Sequence, residues 1–187
     1  MKQQKITTFK FNTLSKIVPL ISHRILNKEF ICNVLHNHVS YCLNVLKLHL
    51  NYQFKVLSCI SGVDLIGFKY RFCVSYEVIS LSYNTRFRIK TFVDEVTPLS
   101  SLTSIFINSD WFEREIWDLY GIYFNGHKDL RRILTDYGFE GFPLRKDFPL
   151  TGYTESRYNE RKKRVISDRI QLTQEYRLFY SNLSFNN

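Results

Sequence analysis

Along Tyr70 to Ile79, the residues Phe72, Val74, Tyr76 and Val78 fall on every second position, the period of a strand with one buried face. Arg86 to Val93 repeats the pattern in two colours, setting Arg86, Arg88 and Lys90 against Phe87, Ile89 and Thr91. The short Ser80 to Thr85 connection makes these two strands antiparallel neighbours. Their basic face is either the wet side of a sheet or a surface that tracks phosphates. Phe54 to Gly62, a β-branched and aromatic run closed by Gly62-Val63-Asp64, adds a strand. Glu29 to Val34 and Val165 to Leu172 read as short ones.

Elsewhere the period lengthens. Asn37 is placed to cap a helix whose Val39, Leu43, Leu46 and Leu50 form one stripe. A helix near Leu14 to Leu26 would follow an N-terminal arm. Thr97-Pro98 breaks the sheet, and a helical turn is expected over Ser101 to Phe106. Next, Asp110 offers an N-cap, with Glu113 three residues on as a capping box requires. Phe112, Ile116, Leu119 and Tyr120 then make an apolar stripe that Gly121 stops. After Leu134 the period vanishes while large rings persist among glycines and prolines. Such a backbone cannot bury its rings against itself. The expected fold is α+β: an antiparallel-rich sheet with covering helices plus an extended, largely irregular C-terminal arm. The divisions are 1–28 as N-terminal arm or helix, 29–134 as core, and 135–187 as an arm that docks on a partner.

Length and composition narrow the class. A chain of 187 residues makes one domain and buries about 70% of its unfolded surface. Alanine is absent, although it is the best helix former, which points to an AT-rich coding genome such as an organelle's. Cys32, Cys42, Cys59 and Cys73 show no metal-ligand spacing and read as core thiols. The net charge of +9 calls for an acidic or polyanionic partner, or for an assembly that compensates it. No apolar run approaches the ~20 residues that span a bilayer. Met1 to Lys28, basic and free of acids, is either a targeting peptide or an ordinary arm.

Candidate chemistry is sparse. Glu115 and Asp118 share a helix face, with His127 beyond, a conceivable two-carboxylate and one-histidine metal site. Arg114, Arg131 and Arg132 beside them make ion pairing the simpler account. No phosphate-binding glycine loop or nucleophile motif occurs. Two classes remain: an interaction subunit, or a small basic RNA-binding or ribosomal protein of an organelle. Acids spaced through the stretch (Glu113, Glu115, Asp118, Asp129, Asp136, Glu140, Asp147) favour protein partners.

Glu113-Arg114-Glu115, then Asp118-Leu119-Tyr120, His127 and Arg131-x-Ile133-Leu134 resemble the signature of the 30-kilodalton subunit family of respiratory complex I. Leu134 to Tyr153 is closest in character to the mitochondrial and proteobacterial branch. The likeness extends from Leu81 to Tyr176, about half of the chain. Phe142 departs from it, standing where a histidine is usual, and Asn159 to Arg164 is basic where acids are common. The resemblance implies a scaffold without a cofactor of its own, FMN and the iron–sulfur clusters lying in other subunits. It also implies an arm laid along the 49-kilodalton quinone-site subunit, contacts to other peripheral-arm subunits, no nucleic acid, and membrane association only through the complex. The setting implied is the matrix side of the mitochondrial inner membrane, with NADH-to-ubiquinone electron transfer performed by the whole assembly. Arg114, Glu115, Asp118 and Arg131 would seat the arm, with Arg132, Arg145, Lys146 and Asp147 in the same signature. Phe139, Phe142 and Phe148 would anchor the interface.

Overall fold

The computed structural model describes residues 14–26, 29–174, 176, 177 and 179. Two compact units emerge, Met1–Phe148 and Pro149–Asn187. The first runs through Phe148, past the loss of periodicity at Leu134, because side chains of the sheet and a helix tie down backbone that has no ladder of its own.

The first unit is built on a five-stranded sheet. Its strands are β1 (Leu20–Leu26), β2 (Glu29–Val34), β3 (Val56–Asp64), β4 (Phe72–Ser80) and β5 (Thr85–Val93), ordered β1-β2-β5-β4-β3. Every adjacent pair is antiparallel except β2 and β5, which run parallel. The α+β, antiparallel-rich expectation therefore holds. Alternation sorts the two faces. Phe30, Phe87, Val78 and Leu57 lie in register across one face, and Cys32, Ile89, Tyr76 and Ile60 form the next row. All eight are buried, and helix α1 (Val39–Leu48) covers them with Val39, Cys42, Leu43 and Leu46. Each fully buried side chain of this size contributes about 1.5–3 kcal/mol. On the opposite face Arg88 pairs with Glu77 at 2.7 Å and Glu29 at 3.5 Å, so the centre of the basic row is neutralised within its own sheet.

Helix α2 (Ser109–Tyr120) also packs on the covered side, and Gly62 of β3 sets its distance. A Cβ there would sit 2.9 Å from the Tyr120 ring. A short parallel pair, β6 (Leu99–Ser100) with β7 (Phe124–Asn125), brackets α2 at both ends.

Several local expectations need correction. Residues 14–17 make one helical turn, and Leu20–Leu26 is a strand rather than the rest of a helix. Pro19 explains the break, since it disfavours helix in the residue before it and donates no backbone hydrogen bond. Asn37 lies within a 3-10 turn, His36–His38, and does not cap α1; the helix ends at Leu48, leaving Leu50 exposed. The helical turn expected over Ser101 to Phe106 is present as a single turn, in which Leu102 O accepts from the Ile105 and Phe106 amides.

In the second unit β8 (Thr154–Asn159) and β9 (Arg164–Arg169) form an antiparallel hairpin. The second strand falls where one was expected; the first does not show in the sequence because Thr154, Ser156 and Arg157 give no apolar alternation. Asn159 Oδ1 accepts from the Arg161 and Lys162 amides at 3.0 and 3.1 Å, which shapes the turn, and Lys163 takes a left-handed φ of 48°. The Arg161-to-Arg164 run is exposed at this tip.

Candidate functional site

The residues of the signature stretch converge on α2, whose inward face carries acids as well as apolar groups. Gly121 ends the helix at φ 76°, and its amide donates to Trp117 O, the left-handed stop that the sequence indicated. The N-terminus differs from expectation. Asn108 is the capping position, in helical backbone, and sends its side chain to Leu57 O instead of capping. Glu113 is thereby displaced from a capping box and turns into the core.

Glu113 is fully buried. Its carboxylate accepts from Ser101 Oγ at 2.7 Å and from the Leu102 amide at 2.7 Å, fixing the loop that follows β6. Burial pushes this carboxyl up, against the opposing pull of those hydrogen bonds. Asp118, one turn on and equally buried, accepts the amides of Ile133, Leu134 and Thr135 at 3.2, 2.7 and 2.9 Å, and the Thr135 hydroxyl at 2.6 Å. Burial opposes its ionisation, but these donors together hold it below the ordinary carboxylate range.

His127, with its side chain fully enclosed, accepts from the Asp129 amide through Nδ1. The proton therefore sits on Nε2, which lies 3.0 Å from Asp110 Oδ1 and 3.3 Å from the Asp110 carbonyl. Glu113 is farther away, at 3.9 Å. Arg114 bridges Asp110 at 3.1 Å and Asp129 at 3.5 Å, while the exposed Arg131 reaches Asp129 at 3.2 Å. Glu115 is half-buried on the same helix. Asp118 and His127 thus serve different loops, and among the described residues no three His, Cys, Asp or Glu side chains could hold a metal ion.

The segment that follows is pinned in the same way. Arg132 donates to Phe139 O at 3.0 Å and Gly141 O at 3.1 Å. Phe142 packs edge-on to Trp117 with 6.1 Å between ring centres. Arg145 lies over Phe142 and Phe72, 4.5 and 5.1 Å from the ring centres, and donates from Nε to Tyr120 O at 2.7 Å. Gly121 is required beneath them, because a Cβ there would come within 2.6 Å of Phe142 and 2.8 Å of Arg145. Phe139 and Phe148 stack at 5.8 Å. All three phenylalanines are half-buried within this chain.

Sequence reasoning missed the acid that closes the cluster. Asp64, buried at the end of β3, takes a two-pronged contact from Arg71, at 2.9 Å on each oxygen, and accepts the Lys146 amide at 2.8 Å. The Arg71 guanidinium chiefly, with the Lys146 amide, holds this carboxyl below its usual range. Arg71 also reaches Glu95 at 2.6 Å and Asp147 at 3.0 Å. The available signal was an acid ending one strand with an arginine opening the next.

The four thiols do not form a cluster's ligand set. Cys32 and Cys42 lie on the covered side of the sheet, whereas Cys59 and Cys73 alternate onto its other face. Burial pushes Cys32 and Cys42 up to about 12, the reverse of what a metal-binding thiolate needs.

A sheet domain whose signature acids and arginines hold its own loops, through backbone groups and through one another, has the build of a structural subunit. The chain belongs to the respiratory-chain NADH dehydrogenase 30-kilodalton subunit family, whose model matches residues 32–154. It is 47% identical over 95% of its length to NADH-ubiquinone oxidoreductase subunit 9 of Reclinomonas americana, covering 88% of that protein. It is 56% identical to NADH dehydrogenase [ubiquinone] iron-sulfur protein 3 of Marchantia polymorpha, over 79% of this chain and 77% of the relative. The corresponding protein of Beta trigyna is also 56% identical, over 72% and 70%. The fold recurs in a chain of the membrane-bound sulfane sulfur reductase, an archaeal respiratory membrane complex, with a TM-score of 0.67, 20% identity, and 80% and 87% of the two chains covered.

Proposed function

We propose that this chain is a core structural subunit of the peripheral arm of proton-pumping NADH:ubiquinone oxidoreductase, supporting electron transfer from NADH to ubiquinone by scaffolding the quinone module. The observation that carries this reading is how the signature residues are used. Glu113 and Asp118 hold loops by accepting backbone amides, and Arg132 and Arg145 do so by donating to carbonyls. Groups bound in this way position a surface. FMN and the iron–sulfur clusters accordingly belong to other subunits, which agrees with thiols divided between two sides of a sheet.

The expected partners are the 49-kilodalton quinone-site subunit and its neighbours in the peripheral arm, with the chain beyond Leu134 as the docking element. The setting is the matrix side of the mitochondrial inner membrane, reached through the complex; no helix among the described residues is long and apolar enough to cross a membrane. An organelle gene accounts for the missing alanine. The test is a native gel of solubilised mitochondria stained for NADH oxidation. The chain should migrate with the activity band, and its depletion should remove that band. A chain that migrates apart from the activity would refute the reading.

A further inference from the structure

The loop between Arg132 and Gly141 is fastened at both ends and free at its tip. At the near end Asp118 holds three successive amides, those of Ile133, Leu134 and Thr135. At the far end the Arg132 guanidinium returns to Phe139 O and Gly141 O. Between them the Phe139 amide donates to Asp136 O, and Gly138 takes the left-handed conformation at φ 74°. This tightly held turn leaves Tyr137 fully exposed, with Leu134 also largely in water. Asp136 and Glu140 beside it are exposed too.

A tyrosine on a loose loop is unremarkable, but one carried on a fixed loop is different. Ordering an aromatic anchor on binding costs side-chain and loop entropy, and a loop closed by part-buried hydrogen bonds has met the loop share of that cost in advance. Tyrosines so presented are the residues that concentrate binding energy at interfaces. We propose that Tyr137 is a preorganised anchor that inserts into an apolar cleft of a neighbouring protein subunit. The two flanking carboxylates require lysine or arginine on the rim of that cleft. This rests on the reading of the chain as a subunit of an assembly and names the surface it uses. It also moves the anchoring role away from Phe139, Phe142 and Phe148, whose rings pack against one another and against Trp117, Arg132 and Arg145.

The test uses the full chain in its native complex. Tyr137→Ala is expected to raise the fraction of chain free of the complex about tenfold, while the melting temperature of the purified chain stays at the wild-type value. Tyr137→Phe should retain most of the association, since the cleft is apolar. Asp136→Asn with Glu140→Gln should weaken association at low salt and flatten its salt dependence. Unchanged association of Tyr137→Ala overturns the proposal, and so does a Tyr137→Phe variant as weak as alanine. If the wild-type chain does not enter the NADH-oxidising complex, the subunit reading fails; if wild type and Tyr137→Ala enter equally, only the anchor fails.

Discussion

The segment from Lys128 to Phe148 and the hairpin of β8 and β9 both lie downstream of the sheet, yet they keep their shape by opposite means. The hairpin has a backbone ladder from Thr154↔Arg169 to Asn159↔Arg164, and its side chains are largely exposed. The upstream segment has no strand or helix, and it is fixed by side chains that reach across from α2, from β3 and from the residue just before β4. Asp118, Asp64 and Arg71 do most of this work. Irregular backbone can thus be as well determined as a ladder, provided that buried charged groups satisfy its amides and carbonyls. Its stability then depends on a few side chains rather than on many equivalent bonds.

That contrast fixes where substitutions should hurt. The largest effect is expected for Asp118→Ala, which strands three amides and a hydroxyl; a loss of about 3–5 kcal/mol is expected from denaturant unfolding, with faster hydrogen exchange at 133–135. Arg145→Glu comes next. It removes the donor to Tyr120 O, places a carboxylate beside Glu95, and should cost roughly 3 kcal/mol in the same measurement. The defect should appear in the purified chain and not only in the complex.

The acids also predict pH behaviour of opposite sign. Asp64 and Asp118 are depressed in the folded chain, so their contribution is full above the unfolded value of about 3.9 and is lost as pH falls through their folded values. Glu113 is raised, so its burial favours the fold below about 4.3 and loses that advantage as pH climbs through its folded value. Glu113→Gln should therefore flatten the stability curve on the neutral side of that window while leaving the acid limb in place, as read from unfolding midpoints across pH. The smallest effect is expected at the hairpin tip. Lys162→Glu should leave the unfolding midpoint unchanged, because the side chain is exposed and the turn is shaped by Asn159.

Strands β3 to β5 and the end of α2 could be read from the sequence because each depends on neighbours a few positions away. Period two placed Val74, Tyr76 and Val78 on one face, and Gly121 marked its own stop. The parallel match of β2 with β5 could not be read, since it joins Ile31 to Arg88 and no local pattern records that pairing. The same holds for the site. Glu113 reads as a capping-box residue and Asp118 as a carboxylate sharing a face with Glu115, but the groups they hold, such as the amides of Leu102 and Leu134, look alike in every residue. Asp64 escaped notice because the Lys146 amide that it accepts is distant in the chain, although Arg71 stands close by. The initial strand was hidden by apolar residues that fit a helix until Pro19 is given its weight.

The crossover that brings β2 beside β5 also has a bearing on how the chain is made. The meander of β3, β4 and β5 closes through short connections and can form early, whereas β2 must find its place across the whole length of that meander. Until it does, β5 presents a bare row of amides and carbonyls, the kind of border on which stray chains polymerise. A ribosome product truncated before residue 35 at its start would keep that border permanently.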